Sequence, residues 1–229
     1  MFEENCFKSL VTLSKAEGFV TKFISDINLL QKEYFIQEVF GRKKISPEPY
    51  DLSLSDFFFR QKLIQGNQIT ANDLTDENIK KLASTLRAVH STKIPFEIEG
   101  YTKNEYLIDK IYNPVLVCDK ILEKAPVYFL QKYGNILREK MEEYKKVIDK
   151  SPYKIGLIHG DLRGSNILLS EGGISLIDWA DSRLDIISCD IAQLFYLLDF
   201  NQLQEHAFLK KYPLAKQSRR VGWRGWNNS

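Results

Sequence analysis

His159-Gly160-Asp161-Leu162-Arg163-Gly164-Ser165-Asn166, followed by Ile177-Asp178-Trp179, is the stretch on which the reading of this 229-residue chain turns. The first segment is a polar, glycine-containing loop between two apolar runs, IGLI (155–158) and ILLS (167–170). The second ends another apolar run in a carboxylate. Placed so, Asp161, Asn166 and Asp178 sit at the rims of neighbouring strands. Two carboxylates and an amide converging there make a pocket of hard oxygen donors, which suits Mg²⁺. Phosphoryl transfer uses such an ion, because its chemistry is mostly positioning and charge neutralisation. The competing view, that these residues only end strands, leaves their ordered combination unexplained.

Working outward, NILLS (166–170) and ISLID (174–178) flank Glu171-Gly172-Gly173 and predict a hairpin with a glycine turn. DIAQLFYLLDF (190–200) predicts a buried helix. Upstream, Thr75 is placed to cap a helix with Asp76 and Glu77 in its first turn. Ile79, Leu82, Leu86 and Val89 give that helix one apolar face through His90. Residues 104–124 and 126–150 read as largely helical. At the N-terminal end, CFKSLVTLS and GFVTKFIS joined at KAEG predict a β-hairpin, and INLLQKEYFIQEVF a helix. SPEPYD reads as a loop. FFFRQKLI reads as a strand ended by Gln65-Gly66-Asn67. The chain is therefore expected to be α+β, with two lobes joined near residues 64–70. The expected division is a β-rich lobe over 1–66, a mainly helical lobe over 67–205 that carries the loop and hairpin, and a basic tail over 206–229.

The spacing Asp161-x-x-x-x-Asn166 ahead of a metal-binding aspartate follows the kinase template. Here HGD replaces HRD, and Asp178-Trp179-Ala180 stands where Asp-Phe-Gly would be. In this form the sequence resembles the aminoglycoside phosphotransferase and choline kinase-like family, whose superfamily also holds macrolide, homoserine, fructosamine and thiamine kinases. LIHGDLRGSNILL and SLIDWADSRLDIISCDIA carry the resemblance. LASTLRAVHS resembles the family's helix that ends in Leu-His or Val-His, and FFFRQKLIQGNQI its hinge strand. The resemblance implies a two-lobed protein kinase-like fold with a reduced N-lobe. It implies transfer of the γ-phosphate of ATP, or of GTP, to a hydroxyl of a small molecule, with Mg²⁺ as cofactor.

By that resemblance, Asp161 orients the acceptor hydroxyl and takes its proton, while Asn166 and Asp178 hold Mg²⁺. His159 supports the loop by hydrogen bonding. Asp190, on the following helix, accepts backbone N–H groups of the loop and is buried. Arg163 is either a phosphate contact or a solvated surface residue. GFVTKF resembles the strand that carries the nucleotide-binding lysine, so Lys22 is expected at the α/β-phosphates with Glu33 as its ion-pair partner. Lys32 and Glu38 are the alternatives. The family has a further strand and a glycine-containing phosphate loop ahead of the lysine, whereas Gly18 is the only glycine before Lys22. Its second lobe also continues well past the Asp190 helix. The chain is thus expected to be shortened at both ends. A working kinase and a catalytically inactive relative remain the two readings.

Composition bounds the alternatives. At 44% hydrophobic and 12% aromatic, the chain can bury a sizeable core. From His206 onward there are six Lys or Arg and no acid, so the preceding residues carry −4 of the net +2. An acidic body hints at a cationic acceptor, such as an aminoglycoside or choline. Trp223 and Trp226 in the tail could stack on bases, but the acidic body would repel a nucleic-acid backbone, so no nucleic-acid partner is expected. A protein kinase is disfavoured by the absence of HRD, of Asp-Phe-Gly and of an Ala-Pro-Glu segment after Asp178. The three cysteines form no CxxC and no Cys/His cluster, which fits a reducing cytoplasm. MFEENCFKSL lacks the pattern of a signal peptide. No apolar run approaches the roughly 18 residues of a membrane span, so no membrane association is expected.

Overall fold

The computed structural model describes residues 9–93, 126–150 and 154–212. The helix expected over 104–124 and the Trp-bearing end of the tail lie outside these. The chain begins with β1 (Ser9–Ser14) and β2 (Phe19–Ile24), the expected antiparallel hairpin, in register from Ser9 opposite Ile24 to Ser14 opposite Phe19. Helix α1 (Ile27–Gly41) follows as expected. It starts where the Asp26 carboxylate accepts the N–H groups of Asn28 and Leu29, which would otherwise be unsatisfied.

SPEPYD is not all loop. Pro49 opens strand β3 (Pro49–Ser53), which pairs antiparallel with β4 (Phe58–Lys62). The sheet order β1-β2-β4-β3 puts β3 on an edge. Proline can begin an edge strand because its missing N–H costs no ladder bond there. A register shift between Tyr50 and Ser53 then breaks the pairing. Ile24, Leu30 and Phe59 form the small core between this sheet and α1.

Most of the described chain after β4 packs around a second, larger core. After β5 (Asn67–Gln68), helix α2 (Asp76–His90) starts at the Thr75 cap and buries Ile79, Leu82, Ala83, Leu86 and Val89. Helix α3 spans Val127–Lys150. Strand β6 (Ile155–Ile158) leads into the loop, and β7 (Ile167–Ser170) and β8 (Gly173–Leu176) form the expected hairpin. Two pairings extend this picture. β5, just past the crossing between lobes, adds to β7 to make a three-stranded sheet, β5-β7-β8. β9 (Arg183–Ile186), which sequence pattern did not single out, pairs antiparallel with β6. Helix α4 (Ser188–Leu197) and helix α5 (Gln202–Lys211) close the described chain. α5 runs across position 206 and buries Phe208, so the first part of the basic stretch belongs to a packed helix.

The two halves meet through α1. Its Ile36 and Phe40 belong to the larger core, and Phe40 stacks on fully buried Trp179 with ring centroids 4.5 Å apart. The first residue after the Asp178 carboxylate is therefore clamped against the helix that carries Glu33.

Candidate active site

The loop after β6 takes its shape from one sharp turn. Gly160 has φ +83°, and a Cβ there would lie 2.3 Å from the Asp181 carbonyl oxygen. Only glycine satisfies both conditions. Beyond it, backbone N–H groups that no strand partners are met by side chains. The Asp190 carboxylate, almost fully buried on α4, accepts His159 N–H at 2.7 Å and Gly160 N–H at 2.9 Å. Gln193, one turn on, accepts Leu162 N–H at 2.8 Å.

His159 is fully enclosed and ties the two motifs together. Its Nε2 meets the Ile177 carbonyl at 3.0 Å, and its Nδ1 meets Asp161 N–H at 3.3 Å. That partner set requires a neutral ring with the proton on Nε2. Burial also pushes the imidazole pKa below its ordinary value, against the pull of Asp190. Behind Asp190 lies His90, whose Nε2 is 2.9 Å from the carboxylate and whose Nδ1 is 2.6 Å from the Tyr212 hydroxyl. One ring nitrogen thus faces the carboxylate and the other the phenol. Burial and the Asp190 charge push the Tyr212 pKa well above the usual phenol range.

Asp161 is held on both oxygens. Asn166 Nδ2 donates to Oδ2 at 2.8 Å and to the Asp161 carbonyl at 3.0 Å. Arg163 Nε donates to Oδ1 at 2.8 Å, with the rest of its side chain exposed. Arg163 is therefore neither loose on the surface nor separate from the loop's chemistry. Because the Asn166 amide nitrogen faces Asp161, its Oδ1 is turned away and accepts only a long 3.5 Å contact from Ser165.

From the other side, β2 brings Lys22. Its Nζ lies 2.5 Å from Glu33 Oε1 on α1 and 2.6 Å from Asp178 Oδ1. Burial opposes the ammonium, but the Glu33 and Asp178 carboxylates overcome it and hold the Lys22 pKa above its ordinary value. Asp178 has φ +66°, a left-handed conformation that is uncommon outside glycine and that aspartate tolerates better than most residues. Its neighbour Trp179 donates its N–H to Glu33 Oε1 at 3.2 Å. The alternatives to this pair have other partners. Lys32 Nζ donates to the Ala180 and Ser182 carbonyls at 2.6 and 3.3 Å. Glu38 pairs with Arg42 on the surface at 2.6 Å.

The donor set can be tested against Mg²⁺. Asn166 Oδ1 and Asp178 Oδ2 are hard oxygens left over by the contacts above, and the Asp178 side chain is 45% exposed. No group of three or more His, Cys, Asp or Glu among the described residues could hold a metal by itself. Mg²⁺ is usually held by one or two protein ligands and completed by phosphate oxygens and water, a demand that the Asn166 and Asp178 oxygens would meet. Lys22 uses two of its three N–H donors on carboxylates, so one remains for a phosphate oxygen.

A family model described as "Phosphotransferase enzyme family" matches residues 42–219. The chain belongs to that family. The match takes in Asp161, Asn166, Asp178 and Asp190 and begins after Lys22 and Glu33. No curated protein sequence matches. Among solved structures, the chain is similar to a choline/ethanolamine kinase family protein from Mesorhizobium loti, with TM-score 0.69, 15% identity, and coverage of 90% of this chain and 66% of that one. It is also similar to the choline kinase LicA from Streptococcus pneumoniae, with TM-score 0.66, 19% identity, and coverage of 92% and 72%. A third is APH(2")-IIia solved with GDP and kanamycin, with TM-score 0.67, 16% identity, and coverage of 90% and 74%. At these identities the likeness is one of fold, and the fold is the α+β kinase-like fold. The chain spans 66–74% of the length of these structures.

Proposed function

We propose that this phosphotransferase moves the γ-phosphoryl group of ATP, or of GTP, onto a hydroxyl of a small molecule. The observation that carries the reading is the meeting of two networks. Lys22 reaches across to Asp178 and Asn166 fixes Asp161, while the Asn166 carbonyl accepts the N–H of Ile177, the residue before Asp178, at 3.0 Å. In this reading the acceptor hydroxyl oxygen bonds to the γ-phosphorus as the bond to the β–γ bridging oxygen breaks. The hydroxyl proton passes to a carboxylate oxygen of Asp161, and the nucleoside diphosphate leaves. Asn166 holds Asp161 at a fixed angle, and its free Oδ1 with Asp178 Oδ2 would hold Mg²⁺. When bound, that ion offsets charge on the phosphate oxygens. Lys22 contacts the donor phosphates, and Glu33 aims Lys22. His159 and Asp190 hold the loop rigid and touch no substrate.

The acceptor class follows from the acidic body and from the company the fold keeps. A structural relative is named as a choline kinase, and another was solved with kanamycin. Cationic, hydroxyl-bearing metabolites of either kind are the first acceptors to try. No described helix is long and apolar enough to cross a membrane, and a cytoplasmic setting supplies both nucleotide and Mg²⁺. The test is calorimetry with ATP or GTP and millimolar Mg²⁺, then turnover against choline, ethanolamine and an aminoglycoside panel. Heat of binding and turnover that Asp161→Asn abolishes are the expected results. No binding and no turnover with any pair would leave a family member without the activity.

A further inference from the structure

Lys32 is a half-buried amine that the proposed transfer does not use. A lysine on a helix normally sends its ammonium into water, because fixing that chain costs rotamer freedom. Lys32 does the opposite. Its Nζ crosses to the other lobe and donates to the carbonyls of Ala180, at 2.6 Å, and Ser182, at 3.3 Å. Those carbonyls belong to a tight turn directly after Asp178, closed by Ser182 N–H and Ser182 O–H, both donating to the Trp179 carbonyl.

The next residue of α1 takes the same turn from the opposite polarity. Glu33 accepts Trp179 N–H, and about two helical turns further on Phe40 stacks on the Trp179 ring. Successive residues 32 and 33, about 100° apart on the helix, thus hold a donor and two acceptors of one four-residue turn. The turn's first anchor is Asp178 itself, kept in a left-handed conformation at φ +66°. That backbone region is sparsely populated outside glycine, so what grips the turn, together with the Lys22 ion pair, decides where the Asp178 carboxylate points.

We propose that Lys32 is a positioning residue for Asp178: by holding the Ala180 and Ser182 carbonyls it locks the 179–182 turn to α1 and fixes the carboxylate against Lys22. The metal-ligand part of this rests on the phosphotransferase reading; the clamping of the turn does not.

Two measurements separate them. Amide hydrogen exchange of Trp179 and Ser182 reads the turn without any ligand. Lys32→Met should speed that exchange about ten- to a hundredfold, the effect of losing charge-assisted bonds, while amides of α2 keep their rates. Lys32→Arg should restore slow exchange. Lys32→Gln, polar but shorter, should fall between and serves if the methionine variant does not fold. The second measurement is a double-mutant cycle on Mg²⁺–ATP affinity. Lys32→Met should weaken binding in the native background and have no further effect beside Asp178→Asn. Unchanged exchange at 179–182 overturns the proposal whatever the nucleotide result, and so do additive losses in the cycle. A native chain that binds no Mg²⁺–ATP sinks the phosphotransferase reading, while the exchange data still decide the role of Lys32.

Discussion

Lys22 Nζ lies 2.6 Å from Asp178 Oδ1, although 156 residues separate the two in sequence. The contact joins the middle of β2 to the segment that follows the β7–β8 hairpin. The same ammonium holds Glu33, whose side chain is fully buried. One cation therefore serves two carboxylates in very different surroundings. Asp178 can turn to water when the pair breaks; Glu33 cannot.

Lys22→Met is accordingly expected to destabilise the fold through Glu33. Stranding a buried charge by removing its partner costs about 3–5 kcal/mol. The change should appear as a lower urea midpoint with an unchanged slope. Lys22→Met combined with Glu33→Gln should recover part of the loss, because no uncompensated charge remains. A double variant less stable than the single one would contradict this account.

Asp190 makes a sharper demand. It accepts two backbone N–H groups and faces His90 Nε2, all in the interior. Asp190→Ala leaves three donors without partners, each costing about 1–3 kcal/mol. Loss of most of the domain's stability is expected, since the total margin is only about 5–15 kcal/mol. Tyr212→Phe keeps its stacking on Phe208 and removes only the hydroxyl that meets His90, so it should cost about 1 kcal/mol. Comparable losses in the two variants, by chemical denaturation, would show that Asp190 is not the keystone of this network.

His159 gives the fold an acid limb. Its pKa is lowered in the folded chain, chiefly by burial, so the unfolded chain binds the extra proton first. The stability it contributes is fully present above the unfolded value near 6.5 and falls as pH drops from there toward the lower folded value. Thermal midpoints should therefore decline more steeply below about pH 6.5 in the native chain than in His159→Gln, whose amide can make both bonds without titrating. Parallel declines would mean that other groups set the limb.

The parts of the fold legible in the sequence are those whose cause is local. The β7–β8 hairpin is announced by Gly172-Gly173 between apolar runs, and α2 by the Thr75 cap and one apolar face. Strand β3 was hidden because Pro49 and Asp51 carry loop signals, and only pairing with β4 at an edge makes them a strand. β9 was hidden because Arg183 and Asp185 leave four residues with little β character; β6 recruits it from 28 residues away. At the site, the motif spacing pointed to Asp161, Asn166, Asp178 and Asp190; Asn166 bonds Asp161, the Asn166 carbonyl accepts the N–H of Ile177 next to Asp178, and Asp190 lies behind the loop. The choice between Lys22 and Lys32 could not come from spacing. It depends on which face of β2 meets α1, a tertiary fact, as do the contacts of Gln193 and Tyr212 with partners tens of residues distant.

Asp161 and Asp178 should separate when each is made an amide. Asp161 is bound on one oxygen by Asn166 and on the other by Arg163, and in the proposed transfer it handles only the acceptor's proton. Asp161→Asn removes the base and retains the shape, so turnover should fall by at least about a hundredfold, the usual worth of a positioned general base. Nucleotide affinity in the presence of Mg²⁺ should stay within about twofold, because no donor-side contact is touched. Asp178→Asn acts on the donor side. It takes a charge from Lys22 and a charged oxygen from the ion, so Mg²⁺-dependent nucleotide binding should weaken about tenfold or more along with turnover. Calorimetric titrations with and without Mg²⁺, run beside steady-state rates, distinguish the two. Equal losses of affinity in both variants would mean that the two carboxylates do not divide the work, and the assignment of Asp161 to the acceptor would fall.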